Sequence, residues 1–87
     1  MDTRELIESL IKKLVDDPDA VIVRMVEGST SVILEVEVAP GDVGKIIGKR
    51  GLMADAIRYV LSGIGGKEKR RYVLEIIEDN RSLKPRY

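Results

Sequence analysis

Gly44-Lys45-Ile46-Ile47-Gly48-Lys49-Arg50-Gly51 is the stretch that decides how this chain is read. Two glycines, Gly48 and Gly51, bracket two cations, and an apolar segment of helical character leads into them. Glycine adopts positive φ freely and lets another backbone approach closely. Lys49 and Arg50 between two such residues predict a short, open, positively charged loop. That suits a nucleic-acid backbone, where phosphates need charge and the strand must come near the main chain.

The elements on either side follow from periodicity. Leu6, Ile7, Leu10, Ile11, Leu14 and Val15 recur at helical spacing and predict an amphipathic helix over 3–16. Asp2 and Glu5 have the spacing of a capping box, and Asp16-Asp17-Pro18-Asp19 ends the helix. Residues 20–27 are β-branched and predict a strand with Val21, Val23 and Met25 on one face. Gly28-Ser29-Thr30 reads as a hairpin turn. Over 31–39, Val32, Leu34, Val36 and Val38 alternate with Ile33, Glu35 and Glu37, as in a half-buried antiparallel strand.

Pro40-Gly41 breaks that strand, and Asp42 is placed to cap a new helix. Residues 43–47 predict a short helix, the loop follows, and a second helix runs from about Leu52 to Ser62. Ala54, Ile57, Leu61 and Ile64 share one side of it, and Gly63-Ile64-Gly65-Gly66 supplies material to end it. Residues 71–77 alternate as a third strand. The polar residues 79–87 are expected to fray. The fold class is therefore α+β in the order α-β-β-α-α-β, with helices on one face of a three-stranded sheet. It forms a single domain over 1–80 and a polar tail over 81–87.

Composition excludes several functions. At 87 residues the core is small, with about 60% of the unfolded surface buried. The chain has no cysteine and no histidine, which removes thiolate chemistry, the commonest general base and the commonest metal ligand. No nucleophile–base pair stands out, so an enzyme is the weakest reading, and no cofactor is expected. No apolar run approaches the ~20 residues that span a bilayer, and the N-terminus does not resemble a signal peptide. A cytoplasmic chain without membrane contact is expected.

Net charge is zero, but its distribution is polarised. Residues 1–42 hold 4 basic and 10 acidic side chains, and residues 43–87 hold 11 basic and 5 acidic. The basic half contains the loop, and local potential matters more for binding than total charge. Walker A spacing is absent, because Val43 and Ala39 stand where its first glycine would be. Lys67, Lys69, Arg70 and Arg71 either extend the positive surface or, the preferred reading, form an ordinary solvated loop. Asp16, Asp17 and Asp19 read as an acidic turn without calcium-loop spacing. Glu35 and Glu37 read as solvent-face strand residues.

The motif from Gly44 to Ile57, preceded by Val38-Ala39-Pro40-Gly41-Asp42-Val43, resembles the KH signature along its whole length. The element order resembles the type II KH domain. The length and the N-terminal helix resemble the small single-domain bacterial KH proteins of the KhpA family, over about residues 3–78. The resemblance implies a non-catalytic protein that binds single-stranded RNA, or single-stranded DNA, across a narrow groove about four nucleotides long. It places Gly48, Lys49, Arg50 and Gly51 against the sugar–phosphate backbone. Gly44, Lys45, Ile47 and Ala54 would form the groove floor, with Val43 and Ile46 facing the core. The strand forming the other wall stays unassigned. Arg58, about two turns beyond the loop, either reaches a phosphate or is an exposed helix cation. Leu52 and Tyr59 depart from the polar residues common at their positions.

Such proteins form homodimers or pair with a larger KH protein, and act in post-transcriptional regulation or as RNA chaperones. Phe and Trp are absent and only Tyr59, Tyr72 and Tyr87 are aromatic. Stacking, typically worth about 1–3 kcal/mol per base, is therefore scarce, and pairing with a second domain would supply affinity. The rival reading is a protein-interaction subunit whose contact patch uses Ile33, Ile64 and Ile77. A Gly48→Asp/Arg50→Asp chain is expected to fold and to lose RNA.

Overall fold

A computed structural model describes residues 1–78. The elements come in the expected order. α1 spans Thr3–Leu14, β1 Ile22–Glu27, β2 Ser31–Glu37, α2 Val43–Ile47, α3 Leu52–Glu68 and β3 Arg71–Ile76. The expected tail over 81–87, and residues 79 and 80, lie outside the described residues.

β2 occupies the centre of the sheet. β1 pairs with it antiparallel, Val23 opposite Val36 and Met25 opposite Leu34. β3 pairs with it parallel, Leu74 beside Leu34 and Tyr72 beside Val32. The β1–β2 connection needs only the tight turn at Gly28, whose N–H donates to the Ser31 carbonyl at 2.7 Å. The parallel β2–β3 connection needs a crossover, which α2 and α3 supply.

Strand alternation builds the core. Val23, Val32, Leu34, Val36 and Leu74 are buried on one face of the sheet. Ile7 and Ile11 of α1, Ile46 of α2, and Ile57 and Leu61 of α3 cover them. Residues of the other parity face away from the helices. There Arg24 pairs with Glu37 at 2.9 Å and reaches Glu35 at 4.0 Å. Met25 shares the face of Val23 but stays exposed, beside Met1, Thr3 and Tyr72 in an open depression.

The capping box forms as the spacing predicts. The Glu5 N–H donates to Asp2 Oδ1 at 2.7 Å, and the Asp2 N–H donates to Glu5 Oε1 at 3.0 Å. α1 nevertheless stops two residues before the predicted end. The N–H groups of Asp16 and Asp17 donate to the Asp42 carboxylate, at 3.2 and 3.0 Å, and so do not continue the helical ladder. Asp42 is thus not the side-chain cap of α2 that its position suggested. Its side chain is buried, at 3% exposure, and fastens the end of α1 to the start of α2.

The largest departure is α3, which runs 17 residues and carries Gly63, Gly65 and Gly66 within it. Gly65 is buried, and a Cβ there would fall well inside 3.0 Å of the Arg70 carbonyl oxygen. Gly65 therefore serves close packing of α3 onto the entry to β3 rather than termination. Lys69 ends the helix instead, in the left-handed conformation at φ 60°. The N–H groups of Lys69 and Arg70 both return to the Gly65 carbonyl, the latter at 2.9 Å.

Candidate nucleic-acid interface

Helix α2 presents the loop because one face of it is fixed. Ile46 is fully buried and Val43 packs against the core, as predicted. Gly44 and Lys45 are left exposed and Ile47 half-buried. The Gly48 N–H donates to the Gly44 carbonyl at 2.9 Å and closes the helix.

Gly48 then takes φ 79° and ψ 170°, a region essentially confined to glycine. A Cβ there would also meet the Met53 Cβ and N, each at 2.7 Å. The position requires glycine both for its dihedrals and for the approach of α3. This overturns the choice of Gly48→Asp as a fold-neutral change.

Lys49–Gly51 makes a single tight turn, with the Gly51 N–H donating to the Gly48 carbonyl at 3.0 Å. Arg50 sits at φ 57° and ψ 24°. A left-handed backbone costs a non-glycine residue about 1–2 kcal/mol. α3 follows at once, and no side chain caps its first turn. Its free N–H groups and the positive end of its dipole lie beside the two cations.

Charge at the loop is uncompensated. Among the described residues Arg4, Lys12, Arg24, Lys45, Arg58 and Arg70 each lie within 4.0 Å of a carboxylate oxygen. Lys49 and Arg50 are exposed and make no ion pair among the described residues, like Lys13, Lys67, Lys69 and Arg71. Two free cations thus fall within one turn of backbone at the start of α3.

The remaining predicted residues do not all gather on one surface. Gly44 and Ile47 adjoin the loop on α2. Lys45 bends toward the end of α1, with its Nζ 3.4 Å from Asp16 Oδ2 and 3.8 Å from Asp42 Oδ1. Ala54 is buried, at 3% exposure, and lies in the core beneath the first turn of α3. Arg58 is exposed and turns toward β3. Its Nη1 is 3.4 Å from Asp55 Oδ1, and its Nη2 donates to the Leu74 carbonyl at 3.5 Å.

That last contact identifies the strand beside α3, which sequence left unassigned. The Arg71 N–H donates to the Thr30 carbonyl and the Ile77 N–H to the Val36 carbonyl. In a parallel ladder the intervening main-chain groups of Tyr72, Leu74 and Ile76 then point to the free edge. Beyond the loop α3 packs along β3, which is an edge strand of the sheet.

Sequence reading also missed an apolar strip on the outer side of α3. Leu52, Tyr59 and Val60 are 64%, 82% and 50% exposed. Their i, i+7, i+8 spacing is visible in the sequence, but only the tertiary packing reveals that no element of the described residues covers them. Ile33, Ile64 and Ile77, the expected patch, are half-buried. No helix of the described residues is long and apolar enough to cross a membrane.

Comparison with known proteins accords with this geometry. The family model of the KhpA/KhpB KH domain matches residues 4–76. An "RNA-binding protein KhpA" of Clostridium acetobutylicum is 51% identical over 74 residues, 85% of this chain and 99% of its own. The protein of the same name in Caldanaerobacter subterraneus is 49% identical over 73 residues, 84% of this chain and 97% of its own. That of Borreliella burgdorferi is 50% identical over 74 residues, 85% and 90% of the two chains. No solved structure matches the chain. With the element order, the mixed sheet and these matches in agreement, the chain belongs to the KhpA/KhpB KH-domain family and has the type II KH fold.

Proposed function

We propose that this protein binds single-stranded RNA without catalysing a reaction. About four nucleotides lie across the cleft between the Gly48–Gly51 loop and the edge of β3. The observation that carries this reading is the pair of unpaired cations, Lys49 and Arg50, on a backbone turn at an uncapped helix start. Phosphates meet charge and free N–H groups there, Gly44 and Ile47 leave room for bases, and the β3 edge offers main-chain donors and acceptors. The names of the relatives support the same reading. The cellular role is post-transcriptional regulation or RNA chaperoning in the cytoplasm, and no cofactor is required.

Titration of a fluorescent single-stranded RNA about eight nucleotides long tests this, with DNA of the same sequence as comparison. Lys49→Asp/Arg50→Asp replaces the earlier glycine variant, because aspartate tolerates left-handed backbone. The variant keeps the wild-type circular dichroism spectrum and loses RNA binding. Loss of two phosphate contacts also removes about 1.4 from the slope of log affinity against log salt. Wild-type affinity in the folded variant refutes the assignment.

A second reading is favoured by Leu52, Tyr59 and Val60 on the outer side of α3. This strip suits a second copy of the chain or a larger KH protein, and pairing compensates for scarce base stacking by raising effective concentration. Sedimentation of wild type and Val60→Asp over a range of concentrations separates a dimer from a monomer.

A further inference from the structure

We propose that Asp16 limits RNA affinity by holding the Lys45 ammonium away from the bound strand. The inference rests on single-stranded RNA being the ligand of the loop.

Three cations stand on α2 and the loop, and they are treated differently. Lys49 and Arg50 make no ion pair among the described residues. Lys45 has two carboxylates within reach, Asp16 Oδ2 at 3.4 Å and Asp42 Oδ1 at 3.8 Å. Those two carboxylates have different duties. Asp42 is buried and its oxygens are taken by the N–H groups of Asp16 and Asp17. The Asp16 side chain is 82% exposed, and its carboxylate has no partner other than Lys45 among the described residues. It buries no apolar surface and caps no helix. At the end of α1 a negative charge also opposes the helix dipole. The side chain therefore adds little to folding.

Its effect falls on Lys45. The pair draws the ammonium toward the α1 end of α2, and a phosphate must compete with Asp16 to recruit it. Asp17 and Asp19 in the same turn extend the negative charge on that side. A strand leaving the loop toward α1 meets these carboxylates, whereas along α3 the exposed Asp55 is paired with Arg58 at 3.4 Å. Binding specificity often depends on such repulsive elements as much as on attraction.

The test is the RNA titration above, run on wild type, Asp16→Asn and Asp16→Asn/Lys45→Met between about 50 and 200 mM salt. Asp16→Asn is expected to tighten binding about two- to fivefold at the low end, the range of an exposed ion pair. Its salt slope is expected to steepen by about 0.7, one added single-strand phosphate contact. Adding Lys45→Met returns both quantities to wild type or below. Two results overturn the proposal while leaving the functional reading intact. One is unchanged affinity in Asp16→Asn when wild type binds RNA. The other is a gain that survives Lys45→Met, which would mean general repulsion rather than a held lysine. Failure of wild type to bind RNA refutes the functional reading and this proposal together. Matching thermal melts of wild type and Asp16→Asn establish that the comparison concerns binding alone.

Discussion

Asp42→Asn is the sharpest test of how α2 is held against the end of α1. The carboxylate receives the Asp16 N–H at Oδ1 and the Asp17 N–H at Oδ2, at 3.2 and 3.0 Å, while 3% exposed. An amide keeps one acceptor and turns an NH2 toward the other N–H. One hydrogen bond to a charged group is lost, worth about 1.5–3 kcal/mol, and a donor now faces a donor. The Lys45 contact adds little, because that side chain is half in water. A loss of about 2–4 kcal/mol follows. At ~0.05–0.15 kcal/mol per residue, 87 residues give a total stability of about 4–13 kcal/mol, so the loss is a large share of it. In a domain of this size about 4–8 °C of melting temperature corresponds to each kcal/mol. Asp42→Asn should therefore melt at least about 8 °C below wild type. Its urea midpoint should fall while the slope of the transition is preserved. A decrease under about 4 °C would show that the buried carboxylate is not what joins α1 to α2.

Other expectations use the same methods. Gly65→Ala should destabilise by about 1–3 kcal/mol, because its Cβ collides with the Arg70 carbonyl and forces α3 off the entry to β3. Gly66→Ala, with open space around the same atom, should stabilise by up to about 1 kcal/mol through helix propensity. Melting shifts of the same sign in the two variants refute the packing role of Gly65. The Tyr72 phenol is raised above its ordinary value of 10.0, first by burial and then by its hydrogen bond to Glu68 at 2.5 Å. The folded state then holds the proton more tightly than the unfolded chain. The stability it contributes is full below pH 10 and is lost as pH rises through the higher folded value. The difference in phenolate absorbance between wild type and Tyr72→Phe should appear only above pH 10, and a difference centred at or below it counts against the burial.

Several features were legible from local pattern because their causes are local. The capping box at Asp2 and Glu5, the alternation from Val32 to Val38, and the loop at Gly48–Gly51 each depend on neighbouring residues. Gly48 has the backbone its flanking sequence implied, although the contact with Met53 that makes it irreplaceable belongs to the fold.

What the sequence by itself determined is the order of elements and the composition of the loop, since periodicity and glycine placement are properties of consecutive residues. Only the tertiary structure decided what distant groups do to one another. Gly65 looked like a helix stop until Arg70 was found against it, and continuing helix packing outweighed the glycine penalty. Asp42 looked like a cap until the Asp16 and Asp17 amides, 26 and 25 residues away, claimed its oxygens. The resemblance placed Lys45 on the groove floor, but charges separated along the chain are brought within 4.0 Å of it by the packing of α1 on α2. A local pattern sets backbone conformation, whereas charge compensation and close approach depend on which surfaces meet.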